Sequence, residues 1–575
     1  MSRRRKEKQT TASSPPAPVN SAEAAPAESG DRLWLAAFLL LAFLVGIVEV
    51  EDPDIWWHLR TGQLIVERGE IPRTDWFTYT NPESPWIDLH WTFQLCVAAL
   101  WALGGSPAWV LAKSFCGAAA FGVAMSVKRT QGTWRQAVAC WLPSLLMFSG
   151  RNQVRPEMFS FLFLAASLAI VFSAQRHPRR VWALPLIELA WVNAHGLFVL
   201  GFVVWGCFLA DAAVRWLRRA KAGVEAPSGA DWRRWAGVTL GMVLASLANP
   251  YGYRGALFPF VLLQRIQGEQ RAFYQQFAGE FDGLPEFLSR YGLLAALTNV
   301  TLCMTLVLLA LGAVSFIRLW RRGSWDALRA LLFAAFAYLA WQSSRNSALF
   351  AIAGGMIVRE NFGELAARSP PSPGSRGGRL ALACCLGMLL ASLPTNIFWA
   401  LARSESPRRF GWGEVPNVFS HEAAKFLGQA GMPRRVFPVD QGEAAVYIFH
   451  NGPQRRVFAD GRLEVNTPET LARYIEIRRK MINRSGNLRA SLREGIEPGA
   501  DGRQETPALL IDVAAAEWAG VASDPQFRPV YFDGVALVFL DVEQAERLDL
   551  PAIAIGQEIL ALARRRSMNQ RVEND

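Results

Sequence analysis

Residues 49–58 concentrate groups that could do chemistry. They read Glu49-Val-Glu51-Asp52-Pro53-Asp54-Ile-Trp56-Trp57-His58, four carboxylates followed by two indoles and an imidazole. A carboxylate held near water is suited to general acid–base work on a hydroxyl. Solvation of a helix end is the plainer alternative for the same cluster. Further polar groups recur along the chain: His90-Trp91, Arg151-Asn-Gln-Val-Arg155-Pro156-Glu157, Asn193-Ala-His195-Gly196, Asn249-Pro-Tyr-Gly252 and Ser343-Ser-Arg345-Asn346. Arginine grips oxyanions through paired hydrogen bonds, and anchoring to lipid headgroups is the alternative for Arg151, Arg155 and Arg345. The spacing of His58, His90 and His195 matches no compact zinc motif. If a metal binds, Mg²⁺ or Mn²⁺ on Asp52 and Asp54 is the expected form, because hard cations take oxygen ligands. Asn193 and His195 read equally as caps of a tight hairpin and as donors reaching into a site.

The elements that must position these groups are apolar. Of the 575 residues 51% are hydrophobic, and mean hydropathy is +0.14. Runs at 33–50, 109–127, 159–172, 197–217 and 293–319 are each about long enough to cross ~30 Å of hydrocarbon. With shorter runs at 137–148 and 181–192, about eleven spans are expected, which makes the chain a polytopic α-helical membrane protein.

The net charge of +11 is a topology signal. Start with Arg3, Arg4, Arg5, Lys6 and Lys8 inside, so that residues 33–50 run outward as an uncleaved anchor. If residues 91–103 crossed the membrane, Lys128, Arg129 and Arg135 would lie outside. So would Arg176, Arg179 and Arg180, and then Arg215, Arg218, Arg219, Lys221, Arg233 and Arg234. If 91–103 instead lies along the outer surface as a juxtamembrane helix, all of these move inside. Arg318, Arg321, Arg322, Arg329, Arg359, Arg368, Arg376 and Arg379 join them. One assignment satisfies the positive-inside rule at every loop, and it brings the polar clusters to the outer face. No basic stripe sits on a soluble module, so nucleic acid is not an expected partner.

The resulting frame has four parts. Residues 1–31 form a basic, disordered cytoplasmic tail. Residues 32–403 form the transmembrane domain, with a large first outer loop at 51–105. Residues 404–565 form an extracytoplasmic α/β domain, and 566–575 a flexible tail. In the α/β domain, strands are expected at 435–439, 445–449, 457–459, 508–513 and 535–540. Helices are expected at 420–427, 467–482 and 552–563. The seven cysteines all fall in apolar segments, so no disulfide framework is expected. Asp211 can pair near the basic inner end; Glu188 lies deeper in its span. Asp88 receives no role, and Asp460-Gly461-Arg462 reads as a turn or as a binding element for a glycan or a partner.

Several motifs carry a resemblance. Asp52-Pro-Asp54-Ile-Trp-Trp-His58-Leu-Arg-Thr-Gly62, Ile71-Pro-Arg-Thr-Asp75-Trp-Phe-Thr-Tyr-Thr80 and His90-Trp91 belong to the first loop. Arg155-Pro-Glu-Met-Phe-Ser160, Trp191-Val-Asn-Ala-His-Gly196, Asn249-Pro-Tyr-Gly252 and Val457-Phe-Ala-Asp-Gly-Arg462 follow. Together they resemble a set of bacterial membrane proteins of the GT-C superfamily, over almost the whole chain after residue 31. That superfamily of polytopic glycosyltransferases includes protein O-mannosyltransferases and lipid A aminoarabinose transferases. The resemblance implies an inverting glycosyltransferase in the bacterial inner membrane. Its donor would be a polyprenyl-phosphate-linked sugar and its acceptor a glycan, lipid or protein. Asp52 or Asp54 would be the base, with Asp54 favoured because it follows Pro53 and adjoins the aromatic group. Arg151, Arg155 and Arg345 would bind the donor phosphate. Glu51, Trp57, His58, His90, Asn193 and His195 would line the site. The rival readings are a lipid or glycan transporter, which predicts an internal repeat and mid-membrane polar groups, and a non-catalytic envelope interaction protein.

Overall fold

The first apolar run is helical from Ser29 to Val45 (α1) and stops short of the expected end at Val50. Residues beyond it turn extended because the linker ahead of the C-terminal domain offers them backbone partners. Val50 N donates to Gly413 O at 2.7 Å, and Val415 N to Val50 O at 3.0 Å. The computed structural model describes residues 29–82, 84–127, 133–219, 226–267, 283–368, 376–402, 408–499 and 502–574. Residues 1–28 of the expected tail, and Lys128, Arg129 and Lys221, lie outside the described residues.

Beyond the acidic turn, α2 spans Asp54–Arg68 and α3 spans Trp91–Ser126. The backbone of α3 breaks at Gly104 and Gly105; Gly105, at φ 62° and ψ −151°, occupies a region essentially reserved for glycine. Trp109 Nε1 donates to Val97 O at 2.9 Å. Twelve residues of straight helix would separate those positions by ~18 Å, so the two halves of α3 fold back on each other. The second half runs antiparallel to α1. Lys113 Nζ donates to Val48 O at 3.0 Å near one end, and Trp134 N donates to Asp31 Oδ2 at 2.9 Å near the other. The chain therefore returns to the α1 start within the second half of α3.

The remaining helices sort their ends the same way. At the α1 start, Arg359 reaches Val127 O (2.7 Å), Arg322 reaches Leu365 O (3.1 Å) and Arg329 pairs with Glu364 (2.5 Å). At the opposite end, Arg345 pairs with Glu157, Arg155 with Asp52, and Arg408 with the carbonyls of Ser149 and Gly150. By length and composition, Trp91–Ser126, Gly196–Leu217 and Val300–Arg321 are the described helices suited to cross a membrane; Glu157–Ser173 and Ala327–Gln342 are shorter. The run at 293–319 is two helices, because the Asn299 side chain accepts from Leu302 N at 3.1 Å and starts a new one.

The C-terminal region carries a five-stranded sheet in the order β2-β1-β3-β5-β4. β1 (Arg435–Pro438), β2 (Arg456–Val457) and β3 (Ala508–Asp512) are parallel. β4 (Phe527–Phe532) and β5 (Ala536–Asp541) add antiparallel pairs. The strand expected at 445–449 is instead a helix, Gln441–Asn451. Asp440 caps it by accepting from Gly442 N, and Ala444–Ile448 are buried on all sides, so an all-apolar run suits a helix inside a core. β4 escapes a sequence reading because Pro529 interrupts it; it survives as an edge strand with a bulge between Pro529 and Tyr531. The last helix runs Gln557–Asn574, through the boundary drawn at residue 566.

The sheet does not end at β2. Residues 77–79 of the first loop lie beside it: Val457 N donates to Phe77 O at 2.9 Å and Tyr79 N to Val457 O at 3.0 Å. Arg462 locks this junction. Its Nη2 lies 2.6 Å from Asp75 and 2.6 Å from Asp460, all three side chains being fully buried. The guanidinium sits 4.3 Å from the Trp86 ring centroid. Removing one partner of a buried ionic cluster strands the others and costs about 3–5 kcal/mol. Arg462→Ala is therefore expected to lower the denaturation midpoint of the purified protein markedly and to expose residues 70–90 to protease. An unchanged midpoint would show that the cluster is not what joins the loop to the domain.

Candidate functional site

The acidic turn sits where α1, the bundle's opposite-end loops and the C-terminal domain meet. Three of its four carboxylates do distinct things. Glu51 Oε1 is 3.4 Å from Arg408 Nε and accepts from Gln153 Nε2 at 3.1 Å, which makes it an anchor for the linker. Asp52 is 5% exposed; it accepts from Asp54 N at 3.0 Å and forms an ion pair with Arg155. Asp54 opens α2, and its side chain is 33% exposed. Trp57 Nε1 donates to its Oδ1 at 3.3 Å, and Arg155 Nη2 lies 3.5 Å from its Oδ2. The C-terminal domain closes over it, since a Cβ at Gly461 would come 3.1 Å from Asp54 Oδ1.

Behind the turn lies a row of imidazoles. The rings of Trp57 and His58 are 3.6 Å apart, those of His58 and His90 5.6 Å, and those of His90 and His195 5.5 Å. The environment makes them unequal. Burial, then the positive neighbours His90 and Arg155, hold His58 well below its ordinary value. Burial and His90 likewise push His195 down to about 3, while its Nδ1 shares a 2.8 Å hydrogen bond with Ser160. Burial works against the imidazolium of His90 too, but the hydrogen bond and charge of Asp88 outweigh it and raise its pKa. Of the three, His90 is the one whose hold on a proton is strengthened by its surroundings. Asp88, which received no role from sequence, is fully buried and orders the turn by accepting from His90 N at 3.0 Å.

The candidate phosphate ligands are spread around this row. Arg155 is committed to Asp52 and Asp54. Arg345, 35% exposed, pairs with Glu157 at 2.7 Å. Arg151 is buried in the turn that follows the Trp134–Ser149 helix. Asn193 is a structural residue rather than a wall of the site. Its Nδ2 donates to Leu189 O and Ala248 O, and its Oδ1 accepts from Trp91 Nε1, tying the hairpin to the start of α3. The Asn-Pro-Tyr-Gly turn also braces the first loop, Tyr251 donating to Pro72 O at 2.7 Å. Among the described residues no group of three His, Cys, Asp or Glu side chains is arranged to hold a metal ion. With Asp52 committed to Arg155, the pair does not fit the expected divalent cation. Asp211 pairs with Arg215 at 2.9 Å.

No protein-family model and no curated protein matches the chain. Solved structures do. An oligosaccharyltransferase from Archaeoglobus fulgidus in the apo form superposes with a TM-score of 0.52 and 10% identity, over 85% of this chain and 71% of that one. The oligosaccharyltransferase AglB from the same organism, in complex with an inhibitory peptide and a dolichol-phosphate, gives 0.50 and 12%, over 90% and 75%. The fold is that of these archaeal oligosaccharyltransferases. ArnT from Cupriavidus metallidurans in the apo state gives 0.47 and 13%, over 88% and 97%.

Asp88 and His90 generate a pH prediction. Folding raises the His90 pKa, so its contribution to stability is complete below the ordinary value of 6.5 and fades as pH rises through the folded value. His58 and His195 are lowered and act in the window below 6.5, leaving His90 alone of the three above it. Thermal unfolding should show stability falling as pH is raised from 6.5, and Asp88→Asn should flatten that fall. An unchanged profile in the variant would remove Asp88 as the cause.

Proposed function

We propose that this protein transfers a sugar from a polyprenyl-phosphate-linked donor to an acceptor on the outer side of a bacterial inner membrane, with Asp54 as general base. The acceptor is a glycan, lipid or protein, the N-terminus is cytoplasmic and the C-terminal domain is extracytoplasmic. The observation that carries this reading is the division of labour between the two aspartates. Asp52 is buried and held by Arg155, whereas Asp54 stays a third exposed at the mouth of the same cluster. A base must be reachable by the hydroxyl it deprotonates, and Asp54 is the reachable one.

In the reaction, the acceptor hydroxyl oxygen attacks the anomeric carbon from the face opposite the lipid phosphate. The carbon–oxygen bond to the phosphate breaks, the configuration inverts, and the hydroxyl proton passes to the Asp54 carboxylate. Arg155 fixes both aspartates. Arg345, with Arg151 and Arg155, supplies guanidinium groups for the departing phosphate charge. The dolichol-phosphate and peptide held by the archaeal neighbour support a lipid phosphate on one side and a macromolecular acceptor on the other.

The test is transfer of radiolabel from extracted lipid-linked sugars to endogenous acceptors in membranes carrying single variants. Asp54→Asn should cut transfer by about 10²–10⁴-fold and leave thermal stability close to wild type. Asp52→Asn should lower both, because it strands a partly buried Arg155. Full transfer by Asp54→Asn would place the base elsewhere.

A further inference from the structure

A second cavity borders the acidic turn on the far side of Pro53. It has a volume of about 520 Å³ and lies at the carboxyl ends of β1 and β3, where Val439-Asp440 and Asp512 leave the sheet. That edge of a parallel sheet is the usual place for a ligand in an α/β domain. Two of its lining side chains are buried with polar atoms that have no partner: Ser420 Oγ, in a residue 1% exposed, and Glu443 Oε2, in a residue 5% exposed. Leaving such atoms unpaired is costly unless something binds them.

The other charges around the cavity are largely balanced. Glu517 pairs with Arg478 at 2.7 Å and Asp512 with Arg566 at 3.1 Å. Asp440 accepts from Gly442 N at 2.6 Å. Burial, reinforced by Asp440 and Asp512, pushes the Glu443 carboxyl well above its ordinary range. A neutral carboxyl both donates and accepts, as does the Ser420 hydroxyl. Phe419 and Val446 add apolar wall beside them. The carboxylates disfavour an anionic ligand, and no metal-holding group exists among the described residues. Donor–acceptor groups facing a partly apolar wall match the alternating hydroxyls and C–H faces of a sugar ring.

We infer that this cavity binds a saccharide unit through Glu443 and Ser420, as the acceptor-glycan subsite beside Asp54. Its acceptor role rests on the transfer reaction proposed above; saccharide binding does not. Pro53 is part of the cavity wall and Asp54 is its chain neighbour, so a glycan seated here extends toward the base.

The experiment is saturation-transfer NMR on the full chain in lipid nanodiscs. The probes are free glucose, galactose, mannose, N-acetylglucosamine and arabinose. At least one sugar should give a signal. Ser420→Ala and Glu443→Ala should each weaken its binding by about tenfold, the loss expected for a buried hydrogen bond of this kind. Asp54→Asn should leave it unchanged, even though that variant has lost transfer. The use of two variants covers the case in which one fails to fold. Absence of signal from every sugar would overturn the inference. So would equal binding by wild type and both cavity variants, or loss of binding in Asp54→Asn with retention in Glu443→Ala, which would put the sugar at the base instead. If transfer fails to depend on Asp54 while binding depends on Glu443, the cavity assignment survives and the reaction assignment falls.

Discussion

The arrangement depends on one buried cation. Arg462 comes from the C-terminal domain and holds Asp75 of the first loop together with its own neighbour Asp460. Without it, two carboxylates would face each other in a dry interior, and the loop could not lie against β2. With it, residues 77–79 continue the sheet, and Arg68 at the far end of α2 lies 4.6 Å from the Trp76 ring centroid. The acidic turn at its near end is then pressed between Gly461 and Arg155. The helical bundle and the C-terminal domain are thus one construction around the turn, and neither alone would place Asp54.

Electrostatics in this junction is resolved by pairing. Glu51 is given to Arg408, Asp52 to Arg155, Glu157 to Arg345 and Asp88 to His90. Each pairing removes a carboxylate from the pool that could accept a proton and stiffens an element next to the turn. The Asp54 side chain is 33% exposed, against 13% for Glu51 and 3% for Asp52. The same pairing strengthens the hold of His90 on a proton, while burial weakens that of His58 and His195.

Much of this was legible in the residues. The Asp-Pro-Asp turn, the aromatic run behind it and the one-sided distribution of arginine all point to the same face, and the structure gathers Asp52, Asp54, Trp57, His58, His90, Arg155 and His195 there. The charge pattern set residues 91–103 apart from the apolar run that follows, and α3 breaks at the end of that segment, at Gly104 and Gly105. Other features were illegible for physical reasons. Asp88 and Arg462 gain their meaning from partners that folding supplies, and for Arg462 the partner is 387 residues away. The helix at 441–451 looks like a strand because burial on every side erases periodicity, although Asp440-Gln-Gly-Glu443 is an N-terminal capping sequence that could have revealed it. Asn193 sits in a motif with His195, yet its amide is consumed by backbone carbonyls, a distinction that spacing cannot make.

The account stands or falls on whether a sugar is transferred at all. The most direct measurement is mass spectrometry of extracytoplasmic glycans and glycolipids from cells with the wild-type chain, with the chain deleted, and with the deletion complemented. The account predicts that one sugar substituent disappears in the deletion, returns on complementation, and leaves its lipid-linked donor accumulated meanwhile. An identical profile in all three, with no donor accumulation, would contradict it and favour transport or interaction as the role of this fold.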